Sequence, residues 1–148
     1  HFAIRRQRQM CIRDSFKGDV ILLYGEIGVG KTTFIKSLVN SLEKIDKKNI
    51  SEITSPTFSL MNQYKLNKFD IHHYDLYRLK SEKDILSLNI FEDISDKIIL
   101  IEWPEILGEH KPKNTIDINF EYGENFNSRY LTISAYEKLK IFDEFKSL

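Results

Sequence analysis

A single cysteine, Cys11, stands in a chain of 148 residues, so no internal disulfide can form and a small cross-linked secreted framework is excluded. A reducing, cytoplasmic setting is the resulting expectation. Three prolines and six glycines punctuate the whole sequence. No Pro- or Gly-rich linker, internal repeat or low-complexity tract divides it, and this length suits one domain with a sizeable core. A surplus of either charge is also missing. Lys and Arg number 22 and Asp and Glu number 22, so no global field recruits nucleic acid or an anionic membrane, and any RNA contact must be local or borrowed. No apolar run approaches the length of a membrane span, and the first residues show no apolar core of a signal peptide.

The few glycines are concentrated where they matter. Gly25-Glu26-Ile27-Gly28-Val29-Gly30-Lys31-Thr32 follows the apolar run Val20–Tyr24 and opens a helical pattern, the strand-loop-helix context that a phosphate-binding P-loop requires. Successive backbone N–H groups must turn inward to cradle phosphates, and side chains at the glycine positions would obstruct that conformation. Lys31 supplies an ammonium, Thr32 offers a hydroxyl to Mg²⁺, and the helix aims its positive N-terminus at the anion. The chain is therefore expected to bind a nucleoside triphosphate.

Residues 1–15 fit poorly with the rest of the chain. His1–Gln9 is basic and without period, and Met10-Cys11-Ile12-Arg13-Asp14-Ser15 resembles the translation of a transposon-type sequencing adapter. These residues read as a non-native scar or a disordered arm, leaving 16–148 as the domain. A helix is expected from Thr32 to about Lys44, burying Phe34, Ile35, Leu38, Val39 and Leu42. Phe58–Tyr64 and Phe69–Tyr74 read as strands joined by the turn Lys65–Lys68. Ser81-Glu82-Lys83-Asp84 has the capping-box pattern before a short helix. Ile98–Ile101 is a continuous apolar run of the kind buried on both faces of a sheet. Strands are expected at Thr115–Tyr122 and Tyr130–Ser134, with a closing helix around Tyr136–Lys146. The fold class is α/β, a mixed β-sheet flanked by helices in a single P-loop NTPase domain.

Glu102 follows the apolar run, at the carboxyl end of its strand where ligands of open α/β sheets collect, and suits a hard cation bridging phosphates. Trp103 is either a packing residue or a wall of the nucleotide pocket. Two other patterns carry less. Asn67-Lys68-Phe69-Asp70 matches the guanine-reading pattern of GTPases, yet it lies in an expected hairpin turn and no D-x-x-G segment lies downstream. His72 and His73 are neighbours on a strand and face opposite ways, one expected in the core and one at the surface.

Four segments in order, Gly25–Phe34, Ser55-Pro56-Thr57-Phe58, His73-Tyr74-Asp75-Leu76-Tyr77-Arg78-Leu79 and Ile101-Glu102-Trp103-Pro104-Glu105, resemble the signature motifs of the TsaE (YjeE) family. The resemblance runs from about Gly18 to the C-terminus. It implies the bacterial ATPase that works with TsaB and TsaD in forming N6-threonylcarbamoyladenosine at position 37 of tRNAs reading ANN codons. It also implies roles: Gly25 to Thr33 holding the ATP phosphates, Thr32 and Glu102 coordinating Mg²⁺, and Thr57 as a switch-like contact near the γ-phosphate. Asp75 would orient the attacking water or accept its proton, or else serve as a structural acid paired with Arg78. Val29 replaces an alanine common in the family, and the family's first strand and helix, which help enclose the base, are expected to be missing. Two further readings stay open: a small-molecule kinase, and a nucleotide-gated binding module whose slow hydrolysis resets a complex. A kinase would need an arginine-bearing lid, whereas after Arg78 the sequence offers only Arg129.

Overall fold

The computed structural model describes residues 17–135. The expected scar over 1–15 and the closing helix around Tyr136–Lys146 lie outside the described residues. Six strands form one mixed sheet: β1 (Val20–Tyr24), β2 (Met61–Lys65), β3 (Asp70–Asp75), β4 (Lys97–Glu102), β5 (Thr115–Tyr122) and β6 (Arg129–Ala135), in the order β2-β3-β4-β1-β5-β6. The four inner strands run parallel, and the outer two pair antiparallel as hairpin partners. Among the described residues two helices, α1 (Lys31–Ile45) and α2 (Glu82–Ser87), flank the sheet together with 3₁₀ segments at Ile94–Asp96 and Pro104–His110.

The central strands explain their own position. β1 and β4 read Val-Ile-Leu-Leu-Tyr and Lys-Ile-Ile-Leu-Ile-Glu, and almost every residue is buried. A strand apolar on both faces must be covered on both, and two separate clusters do this. On the α1 face lie Ile21, Leu23, Ile98 and Leu100 with Ile35, Val39 and Leu42 of the helix. On the other lie Val20, Leu22, Ile99 and Ile101 with Ile85 of α2 and Leu107.

α1 begins beyond Gly30, whose φ of 116° lies in the left-handed region. Its buried stripe is Lys31, Ile35, Val39, Leu42 and Glu43, while the expected Phe34 and Leu38 are only partly covered. Ser81 caps α2 in the capping box that its sequence announces. The strand expected from Phe58 starts later, at Met61. Leu60 adopts φ 67°, its N–H returns to the Pro56 carbonyl and its carbonyl accepts from Asp75 N, so Phe58–Leu60 form a turn instead.

Two acids tie down the C-terminal end of α1. Asn67, the first residue of the guanine-like pattern, donates its N–H to Asp46 Oδ2 at 2.7 Å and ties the β2–β3 turn to the helix end. Glu43, buried at 4% exposure, accepts the Ser51 N–H at 2.9 Å and the Ser51 hydroxyl. Removing that carboxylate strands two donors, and the loss of buried hydrogen bonds to a charged group is about 1.5–3 kcal/mol each at most. Glu43→Ala should therefore lower unfolding stability by roughly 2 kcal/mol without altering the fold, as measured by urea denaturation; an unchanged midpoint would show that the loop after α1 holds without it.

Candidate functional site

A cleft of 380 Å³ opens at the carboxyl ends of β1, β3 and β4, beside the first turn of α1. The P-loop supplies Ile27, Gly28, Gly30, Lys31, Thr32 and Thr33 as one wall. Ser55, Thr57, Asp75, Tyr77, Glu102 and Trp103 supply the other. Gly25 and Glu26 line a neighbouring recess with Ile27, Trp103 and Glu105, so the loop separates two concavities. Val29 turns inward, 1% exposed, and packs in the core. A Cβ on Gly25 would stand 2.9 Å from the Phe120 carbonyl oxygen and 2.9 Å from Val29 Cγ1, which leaves room for glycine alone. Gly28 and Gly30 have φ of 77° and 116°, a conformation that side chains disfavour.

Parallel pairing brings the carboxylates together. Asp75 is the register partner of Glu102, and both are buried, at 4% and 2% exposure. Glu102 Oε1 accepts the Thr32 hydroxyl at 2.8 Å. Its Oε2 lies 3.0 Å from His73 Nε2, and because a carboxylate only accepts, Nε2 carries the proton. Asp75 Oδ2 accepts from Ser55 Oγ at 2.5 Å and Thr57 Oγ1 at 3.0 Å, and Oδ1 accepts the Tyr77 N–H at 3.0 Å. Ser55 Oγ also lies 3.4 Å from Glu102 Oε2, which makes that hydroxyl the link between the two acids.

Each residue singled out from the sequence is thus placed. Lys31, Thr32, Thr57, Asp75, Glu102 and Trp103 converge on one cleft, with Thr33 at its rim. Asp75 is not paired with Arg78, whose guanidinium lies over the Phe58 ring at 4.9 Å. His73 is the buried histidine of its pair, at 0% exposure. Sequence pattern puts one of the two histidines in the core without saying which and gives neither a role, although the two-residue offset of His73 from Asp75 puts both on one face of β3. His72 is half-buried rather than at the surface, and burial, with Lys97 nearby, holds its imidazole below the usual histidine range. Ser55, visible only as part of a motif, is the other residue that sequence reasoning missed.

Among the residues lining the cleft, Lys31 is the one cation against Asp75 and Glu102. Its ammonium donates to the Gly25 carbonyl and sits 3.5 Å from the centre of the Trp103 ring. Trp103 also meets Tyr77, ring centres 4.9 Å apart. Two acids and the hydroxyls of Thr32, Ser55 and Thr57 form an oxygen-rich set suited to a hard divalent cation. Among the described residues no group of three or more His, Cys, Asp or Glu is arranged to hold an ion unaided, so such a cation would take its remaining ligands from phosphate and water, as Mg²⁺ commonly does.

The sequence model of one family, Threonylcarbamoyl adenosine biosynthesis protein TsaE, matches residues 3–131. The chain belongs to the TsaE family. Relatives of that name include a Rickettsia conorii protein, 39% identical over 120 residues, 81% of this chain and 66% of the relative. A Nostoc protein of the same name is 38% identical over 125 residues, 80% of this chain and 72% of the relative. The chain thus spans about two thirds of the length of the TsaE proteins it matches. Bacillus subtilis YdiB shares the fold, with a TM-score of 0.66 at 20% identity over 98% of this chain and 91% of that one. Among the described residues no helix is long and apolar enough to cross a membrane.

Burial holds the Lys31 ammonium below the usual lysine range, while Glu102, Glu105 and Asp75 pull it upward. A lysine lowered in the folded state opposes folding at neutral pH, and that opposition fades as pH rises through the folded pKa towards the ordinary value of 10.5. Lys31→Met should therefore keep or raise the thermal unfolding midpoint at pH 7, and the two proteins should converge near pH 10. A variant clearly less stable at pH 7 would show that the ammonium holds the ligand-free cleft together.

Proposed function

We propose that this chain is the ATPase subunit of the threonylcarbamoyladenosine pathway, working with TsaB and TsaD in forming that modification at position 37 of tRNAs reading ANN codons. Membership of the TsaE family supports the pathway, and the relatives carry its name. The observation that carries the chemistry is the Thr32 to Glu102 hydrogen bond of 2.8 Å, which joins the first turn after the P-loop to the end of β4. With its proton given to Glu102, the Thr32 hydroxyl keeps its lone pairs for a cation.

In this reading the loop from Gly25 to Thr33 holds the phosphates of ATP, Lys31 neutralises charge on them, and Trp103 walls the pocket. Thr32 and Glu102 would hold Mg²⁺, which would supply positive charge to offset that of the phosphates. Asp75 faces the same space with Thr57 and Ser55 on one oxygen, placed to orient a water or accept its proton. Thr57 is the switch-like contact towards the γ-phosphate. Tyr77 N fixes the second oxygen of Asp75, so the carboxylate cannot rotate freely. tRNA is reached through the partners, no DNA or membrane is involved, and the setting is cytoplasmic.

The kinase alternative finds less support. Arg78 lies on Phe58 and Arg129 on the carbonyls of Val29, Phe126 and Ser128, so neither stands over the cleft as a lid arginine.

Slow ATP turnover by the purified chain, raised when TsaB and TsaD are added, is the expected result. An unchanged rate in a verified complex would contradict the proposal, and stimulation by a small-molecule acceptor would favour a kinase. The two acids should separate in the same assay. Glu102→Ala should weaken Mg²⁺-dependent ATP affinity roughly 10- to 100-fold while leaving metal-free affinity much closer to wild type. Asp75→Ala should keep most nucleotide affinity and lower stimulated turnover by about 10²-fold or more. Equal loss of affinity in both would mean that the acids share one role.

A further inference from the structure

We infer that Tyr122 and Arg129, on the two strands of the β5–β6 hairpin, are positioning residues that set the direction of the P-loop amides; the consequence for binding rests on the phosphate reading of that loop. Neither residue lines the cleft, and both reach the loop from behind. Arg129 Nε donates to the Val29 carbonyl at 3.0 Å. The Tyr122 hydroxyl donates to the Ile27 carbonyl at 3.3 Å.

A trans peptide unit is planar, and its C=O and the following N–H point in opposite directions. Holding the Val29 carbonyl towards Arg129 therefore turns the Gly30 N–H away from the hairpin, and holding the Ile27 carbonyl towards Tyr122 does the same for Gly28. Gly28 and Gly30 line the cleft. Their positive φ values, 77° and 116°, belong to residues with broad conformational freedom, so without outside contacts these amides have little to fix them.

The brace is itself held. The Arg129 guanidinium stacks over the Tyr122 ring at 4.3 Å and donates to the Ser128 carbonyl at 3.0 Å and to the Phe126 carbonyl. Gly123 closes the hairpin, its N–H on Ser128 O at 2.9 Å, where a Cβ would collide with Ser128 Oγ at 1.9 Å. Farther down β5, Phe120 meets Phe34 of α1 edge to face. The hairpin thus touches the loop at two alternate carbonyls and the helix beyond it at one ring.

The test uses Arg129→Met, which keeps an apolar stem without a donor, and Tyr122→Phe, which removes only the hydroxyl. In the ligand-free chain, the amide resonance of Gly30 should move and exchange faster in Arg129→Met, and that of Gly28 should do so in Tyr122→Phe. Affinity for tripolyphosphate, a probe with no base, should fall about three- to tenfold in each. A merely structural loss would lower the melting temperature and move Gly123 while leaving Gly28 and Gly30 in place, and that result overturns the inference. So does unchanged tripolyphosphate affinity against a wild type that binds it. A wild type that does not bind tripolyphosphate would sink the phosphate reading of the loop, and the two glycine amides would still decide whether the hairpin orients them.

Discussion

Two carboxylates are buried side by side, and the rest of the cleft is a response to that. Asp75 and Glu102 are register partners on adjacent parallel strands, and leaving either charge without partners would cost several kcal/mol. Each oxygen has accordingly found a donor. Thr32 comes from the helix, Ser55 and Thr57 from the loop before β2, His73 from the same face of β3, and the Tyr77 N–H from the turn beyond it. Separate stretches of chain are held in place by two side chains. A site built this way is organised before any ligand arrives, which is the condition for electrostatic stabilisation without rearrangement.

The order of strands makes the meeting possible. β1 lies between β4 and β5, so the loop leaving β1 has Glu102 on one side and the β5–β6 hairpin on the other. One neighbour provides acid for the cleft and the other provides donors for the back of the loop. The parallel arrangement delivers all the strand ends to the same edge, and the antiparallel β2 and β6 close the flanks without interrupting it.

Much of this is legible in the sequence because it is local. The P-loop, the apolar run of β4, the Ser81 capping box and the full extent of β5 are patterns within a few residues, and the structure obeys them. The gathering of Lys31, Thr32, Thr57, Asp75 and Glu102 is anticipated by the ordered motifs. What escapes depends on partners distant in the chain. His73 meets an acid 29 residues away and Arg129 a carbonyl 100 residues away, separations that no periodicity encodes. The turn at Phe58–Leu60 escapes for the same reason: its geometry is set in part by Asp75, and a sequence rich in strand-forming types does not reveal it.

Trp103 holds φ 57° and ψ 53° just before a proline, a backbone state that a bulky residue adopts at about 1–3 kcal/mol. Its ring contacts with Lys31 and Tyr77 work against that strain. A glycine there would relieve the backbone while erasing the ring, two changes of opposite sign in the free energy of folding. A selection for folded protein alone would register only the difference between these two terms. Tolerance measured by stability and tolerance measured by chemistry should therefore disagree most sharply at this indole.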